Sequence, residues 1–120
     1  MSAPTLRVGA AVLDPDARAL AGPAGTVRLP DQAARLLAHL ARHPGELVEW
    51  IEAAEEMYAR DRCAARDPLM VARARVSLLR RALRDVGAGV AIDTARGRGV
   101  WLRAAELGTA AGAGTGSAAA

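Results

Sequence analysis

The chain has 120 residues, 52% of them hydrophobic, with 16 basic and 13 acidic side chains and a net charge of +3 at pH 7. A domain of this length can bury a core without metal or disulfide staples. The lone Cys63 has no second cysteine to pair with, and the sequence holds neither a run of roughly 18 apolar residues nor a signal-like start. These features predict a cytoplasmic protein of one core, with no metal or cofactor. Every basic residue is arginine, so nucleic acid stays open as a partner if those charges gather on one face.

Residues 1–4 form a short tail, and the first thirty residues alternate β-compatible pieces with turn signals. The pieces are 6–13, then 17–20, 21–25 and 26–29, with Asp14-Pro15-Asp16 between the first two. This pattern predicts an antiparallel sheet of three or four strands. Residues 31–43 place apolar side chains at 33, 34, 36, 37, 40 and 41, the spacing of a helix with one buried stripe, and His43-Pro44-Gly45 ends it. Asp31 is the expected N-cap.

After a short extended piece at Leu47-Val48, residues 49–58 predict a second helix, with Ile51, Ala54 and Tyr58 on one side and Glu49, Glu52, Glu55 and Glu56 on the other. The carboxylates suit either a solvated face near a helix start or a partner site. Residues 59–66 read as a loop. Asp67-Pro68 then offers an N-cap and a proline at the first position of a third helix. Its apolar repeat is Leu69, Ala72, Val76, Leu79 and Leu83, and Gly87 and Gly89 stop it after Asp85 or Val86. Two strands, 90–95 and 100–103, follow around Arg96-Gly97-Arg98-Gly99, a hairpin with glycine where positive φ is needed. Residues 104–120 are almost all Ala, Gly, Ser and Thr and are expected to be a disordered tail. Removing 107–120 should therefore leave the melting temperature unchanged within a few degrees, and a larger drop would show that the tail packs on the domain.

The order of sheet, three helices and hairpin, together with four phrases, resembles the OmpR/PhoB-type DNA-binding domain over residues 5–103. The phrases are Leu29-Pro30-Asp31-Gln32-Ala33-Ala34-Arg35-Leu36-Leu37, His43-Pro44-Gly45-Glu46-Leu47-Val48, Leu79-Arg80-Arg81-Ala82-Leu83, and Ile92-Asp93-Thr94-Ala95-Arg96-Gly97-Arg98-Gly99-Val100-Trp101-Leu102. The resemblance implies an α+β winged helix-turn-helix fold, with an N-terminal antiparallel sheet, three helices and a C-terminal β-hairpin wing. It also implies regulation of transcription, with the third helix in the major groove of duplex DNA and the wing at the minor groove. Further implied partners are RNA polymerase, through the loop 59–66, and a second copy of the chain on DNA. Most proteins of this type carry a receiver domain; here the first strand follows Met1 so closely that a stand-alone regulator or an excised domain is expected. The sequence departs from the family at Pro30 and Ala33, where threonine and glutamate would form a capping box, and at Val100, where the wing usually has tyrosine.

The residues expected at DNA are Val71, Arg73, Ala74, Arg75, Ser77, Leu78, Arg80, Arg81, Arg84, Arg96 and Arg98. Guanidinium groups meet phosphates or a guanine edge with paired hydrogen bonds. On this reading Arg80 reaches phosphate, Arg75 a base, and Arg96 the minor groove. Arginines on an amphipathic helix can equally be its solvated face. An outward centre of Val71, Ala74 and Leu78 would suit thymine methyls or, in a competing reading, a protein partner of a winged-helix interaction module. Trp50 and Tyr58 read as packing residues. His39 and His43 lack a third ligand, the hairpin glycines lack the strand-to-helix setting of a phosphate loop, and no carboxylate is paired with a nucleophile, so no catalysis is expected.

Overall fold

In a computed structural model of the chain, the residues described are 4–58 and 68–103. Strands β1 (Leu6–Val8), β2 (Ala11–Asp14), β3 (Ala19–Gly22) and β4 (Gly25–Arg28) form an antiparallel meander in sequence order. The apolar run 6–13, expected as one piece, is two strands, because Gly9 turns at φ +63 and the next N–H, of Ala10, donates to Ala88 O at 2.7 Å. A side chain at Gly9 would collide with that same Ala88 carbonyl, so the turn closes directly on the segment behind the third helix. Between β2 and β3, Asp14 Oδ1 accepts the N–H groups of Asp16 and Ala17 at 3.1 and 3.2 Å, an Asx turn.

Helix α1 (Asp31–Arg42) buries Ala33, Ala34, Leu36, Leu37, Ala38 and Leu40. Asp31 does not cap it. Pro30 holds the cap position and Asp31 lies inside the first turn, where its Oδ2 accepts Arg35 Nε at 2.9 Å. Beyond the helix, Gly45 at φ +81 donates to Leu102 O at 2.8 Å and delivers the chain into β5 (Val48–Glu49).

Helix α2 (Trp50–Met57) begins one residue later than expected and turns a different face inward. Trp50, Ala53, Ala54 and Met57 are buried, Tyr58 is half-buried, and Ile51 is 65% exposed. The two largest buried side chains on this helix, Trp50 and Met57, are seven residues apart and so share a face. Ile51 is rotated away from it.

Helix α3 (Pro68–Val86) ends in a Schellman arrangement: Gly87, at φ +73, donates to Arg84 O at 3.1 Å, and Ala88 to Leu83 O at 3.0 Å. Its C-terminus is gripped by the meander, since Ala24 N–H donates to Val86 O at 2.9 Å. The buried side chains are Ala72, Val76, Leu79, Ala82, Leu83 and Val86, while Leu69 is 37% exposed. Ala82 and Val86 swing the buried arc toward the sheet, leaving Leu69 at its margin.

Strands β6 (Ile92–Ala95) and β7 (Gly99–Leu102) form the expected hairpin, and β5 joins them in a three-stranded sheet of order β5-β7-β6. The register sets Val48 and Thr94 on either side of Val100, and Glu49 and Ala95 on either side of Gly99. Gly99 has no room for a side chain, which would run into the Val48 carbonyl. Val100 is fully buried where the family's wing has tyrosine, and Trp101, on the opposite pleat, is half-buried. The expected α+β winged helix-turn-helix architecture is the one observed, and one hydrophobic core links the sheets to all three helices. No helix among the described residues is long and apolar enough to cross a membrane.

Candidate nucleic-acid interface

The side of α3 opposite its buried arc carries Met70, the adjacent Arg73 and Ala74, Ser77, Arg81 and Arg84, all exposed and recurring at steps of three or four residues. This line differs from the expected one. Val71 and Leu78 are half-buried and pack against the core, so the outward centre is not an apolar Val71-Ala74-Leu78 patch. The shift follows from the same rotation that exposes Leu69. Met70 belongs to the exposed line and was missed; its spacing to Ala74 and Ser77 is the signal that could have found it.

The arginines divide by what they already touch. Arg81 and Arg84 are exposed on α3, and Arg96 and Arg98 are exposed on either side of Gly97, which turns the wing at φ +72. Arg73 lies with its guanidinium carbon 5.5 Å from the ring centre of the buried Trp50, within cation–π range. Arg75 is half-buried and its Nε donates to Gln32 Oε1 of α1 at 3.2 Å. Arg80 is half-buried as well; its Nε donates to Ile92 O at 2.9 Å and its Nη2 to Thr94 Oγ1 at 3.5 Å. Spacing alone placed Arg75 and Arg80 on the flanks of the helix, but it carries no sign of these partners, which come from α1 and β6.

The wing is fastened to its surroundings on several sides. Trp50 N–H donates to Arg98 O at 3.3 Å, joining the start of α2 to the wing turn, and Arg98 N–H closes the turn on Ala95 O at 2.9 Å. At the hairpin's base Arg103 grips both oxygens of Asp93, with Nε to Oδ2 at 2.9 Å and Nη2 to Oδ1 at 2.7 Å. The Arg103 hydrogen bond holds the Asp93 carboxyl below its ordinary range; partial burial opposes this, and the charges of Arg103 and Arg80 add to it. A carboxylate whose folded pKa is depressed stabilises the fold at neutral pH and loses that contribution as pH falls from about 4 through the folded value. The difference in melting temperature between the wild type and Asp93→Asn should therefore be largest near neutrality and shrink on acidification. A constant difference from pH 7 to pH 2 would show that the carboxylate charge is not what matters.

Away from this surface, His39 sits between α1 and α2, with Nε2 2.7 Å from Glu52 Oε2 and Nδ1 3.8 Å from Glu56 Oε2. The carboxylates of α2 are thus partly engaged with α1 rather than wholly a solvated face. His43 holds the C-cap position of α1. Among the described residues no group of three or more His, Cys, Asp or Glu is arranged to hold a metal. The loop 59–66, expected to meet RNA polymerase, and the tail 104–120 lie outside the described residues.

No family model matches the sequence, and a search of curated proteins finds no significant relative. Solved structures do match. The DNA-binding domain of E. coli CadC is 25% identical with a TM-score of 0.68, over 85% of this chain and 94% of that one. The DNA-binding domain of E. coli CpxR is 28% identical with a TM-score of 0.63, over 84% of this chain and 97% of that one. The Klebsiella pneumoniae RstA DNA-binding domain, solved in complex with the RstA box, shares the fold at 18% identity and a TM-score of 0.58, over 84% of this chain and 98% of that one. The chain therefore has the winged-helix fold of the OmpR/PhoB-type DNA-binding domains, to which it is similar over most of its length.

Proposed function

We propose that this domain binds double-stranded DNA sequence-specifically and regulates transcription, with α3 in the major groove and the β6–β7 wing at the minor groove. The observation that carries the reading is the exposed line of Arg73, Ala74, Ser77, Arg81 and Arg84, together with the exposed Arg96 and Arg98 of the wing turn, in the fold of the CadC and CpxR DNA-binding domains. Guanidinium groups along a groove-sized helix supply the phosphate attraction, and one or two of them can pair with a guanine edge. Ala74 and Ser77 are small enough to let the helix backbone approach the bases, and the Ala74 methyl suits a thymine methyl. With Val71 and Leu78 packed on the core, the surface that would favour a purely protein-binding module is reduced.

The reading carries with it a cytoplasmic location, residues 5–103 as the binding unit, and contact of the 59–66 segment with RNA polymerase. It also has two copies meeting on half-sites about one helical turn, roughly 10 bp, apart. Selection of bound duplexes from a random pool tests it. Enrichment of a motif, repeated at that spacing if two copies bind, is the expected result, and recovery of unenriched sequence would overturn sequence-specific binding.

A further inference from the structure

We propose that Arg80 is a positioning residue that sets the wing against the third helix, and that it does so without itself touching DNA; the inference rests on the DNA-binding reading above. Strand β6 is the outer strand of its sheet, so no further strand holds its free side. An unpaired strand edge is held only by whatever covers it. Here the rigid guanidinium fork of Arg80 spans that strand, bonding Ile92 O at 2.9 Å and Thr94 Oγ1 at 3.5 Å. Thr94 precedes Arg96 by two residues, so the anchor lies about 7 Å along the strand from the side chain that enters the minor groove. The backbone holds on the turn come from elsewhere: Trp50 N–H to Arg98 O from α2, and the pairing of Glu49 with Gly99 from β5. Only Arg80 ties the wing by a side chain to the helix that reads the major groove, among the hydrogen bonds of the described residues. Aligning two DNA-contacting elements in advance spares the ordering cost of fixing one of them during binding.

A phosphate contact and a strut predict different outcomes. Binding of the wild type, Arg80→Ala, Arg80→Lys, Arg96→Ala and the Arg80→Ala/Arg96→Ala double variant is measured on duplexes sharing one core site, with an A·T-rich or G·C-rich wing flank, at several salt concentrations. A strut predicts that Arg80→Ala and Arg96→Ala each lose about tenfold on the A·T-rich flank and little on the other. The double variant then falls little below Arg96→Ala alone, because both changes remove the same wing contact. Arg80→Lys, which keeps the charge but not the fork, stays impaired. The proposal is overturned if the losses multiply and the double variant's salt slope drops by a further unit or so, or if Arg80→Lys restores affinity, since those are the marks of a direct phosphate contact. Thr94→Val, which removes one hydroxyl, gives a milder version and should show a smaller loss confined to the A·T-rich flank. Hydrogen exchange is the second readout. Arg80→Ala should speed exchange at the amides of residues 95–99 and leave α1 protected; unchanged wing exchange would overturn the strut even if the wild type bound no duplex, an outcome that would by itself sink only the DNA-binding reading.

Discussion

Leu79→Ala should lower the free energy of unfolding by roughly 2 to 5 kcal/mol, and Leu69→Ala by less than about 1 kcal/mol, although both leucines belong to the same apolar repeat of α3. Leu79 is fully buried in the core that α1 and α3 share with the sheets, where truncation removes transfer free energy and leaves a cavity that close-packed neighbours fill only in part. Leu69 is 37% exposed in the first turn. Leu83, Val76, Leu36, Leu37 and Leu40 lie with Leu79 in the core, and each leucine among them should fall in the larger class. Urea unfolding followed by circular dichroism is the measurement, with midpoints compared at unchanged slope. Equal, small shifts for Leu79→Ala and Leu69→Ala would show that the buried arc of α3 is misplaced.

The contrast between those two leucines also marks how far the sequence could be read. The 3.6-residue period of α1 and the centre of α3 was legible because leucine and valine are rarely left outside at such spacing, and the helix ends near His43-Pro44-Gly45 and Gly87 were legible because proline and glycine do not continue a helix. The exact rotation of α3 was not. Alanine is so common in this chain that Ala74 outside and Ala82 inside carry the same weight in any periodic pattern, yet Ala82 and Val86 decide which way the helix faces. The split at Gly9 and the pairing of Val48 with Val100 depend on partners far along the chain, Ala88 in one case and β7 in the other, and no local period records them.

The same division runs through the site. The wing and its arginines were legible as a phrase, and the exposed line of α3 only in part, since Val71 and Leu78 pack on the core and Met70 takes the outward place. Whether a particular arginine is free for DNA was not, because a guanidinium at the edge of a helix serves equally well in water, on a phosphate or on a backbone carbonyl, and only the tertiary neighbour chooses. Gln32 chooses for Arg75 and β6 for Arg80, which moves the expectation of direct contact from those two to Arg73, Arg81 and Arg84.

Replacing Arg73, Arg81 and Arg96 together by alanine should abolish useful DNA binding while the fold survives. Arg81 and Arg96 are exposed and Arg73 is stacked on Trp50 from the outside, so none of the three fills the core. Each guanidinium that neutralises a phosphate releases about one counterion, so losing three should flatten the plot of log affinity against log salt by two to three units, roughly 0.9 per contact. At the salt concentration where the wild type binds well, affinity should fall by a factor on the order of 10³, at 1 to 3 kcal/mol for each lost contact. The single variants separate the roles. Arg81→Ala should weaken preferred and scrambled duplexes alike if it meets phosphate, Arg73→Ala should cost more on the preferred site if the indole of Trp50 presets it for a base, and Arg96→Ala should cost most on an A·T-rich flank, where a narrow minor groove concentrates negative potential. Titrations of labelled duplexes at four salt concentrations, with thermal unfolding of every variant alongside, give all of these quantities. A triple variant that stays folded and binds the preferred duplex as the wild type does would remove DNA from this surface, and the exposed Ile51 and carboxylates of α2 would become the face to test for a protein partner.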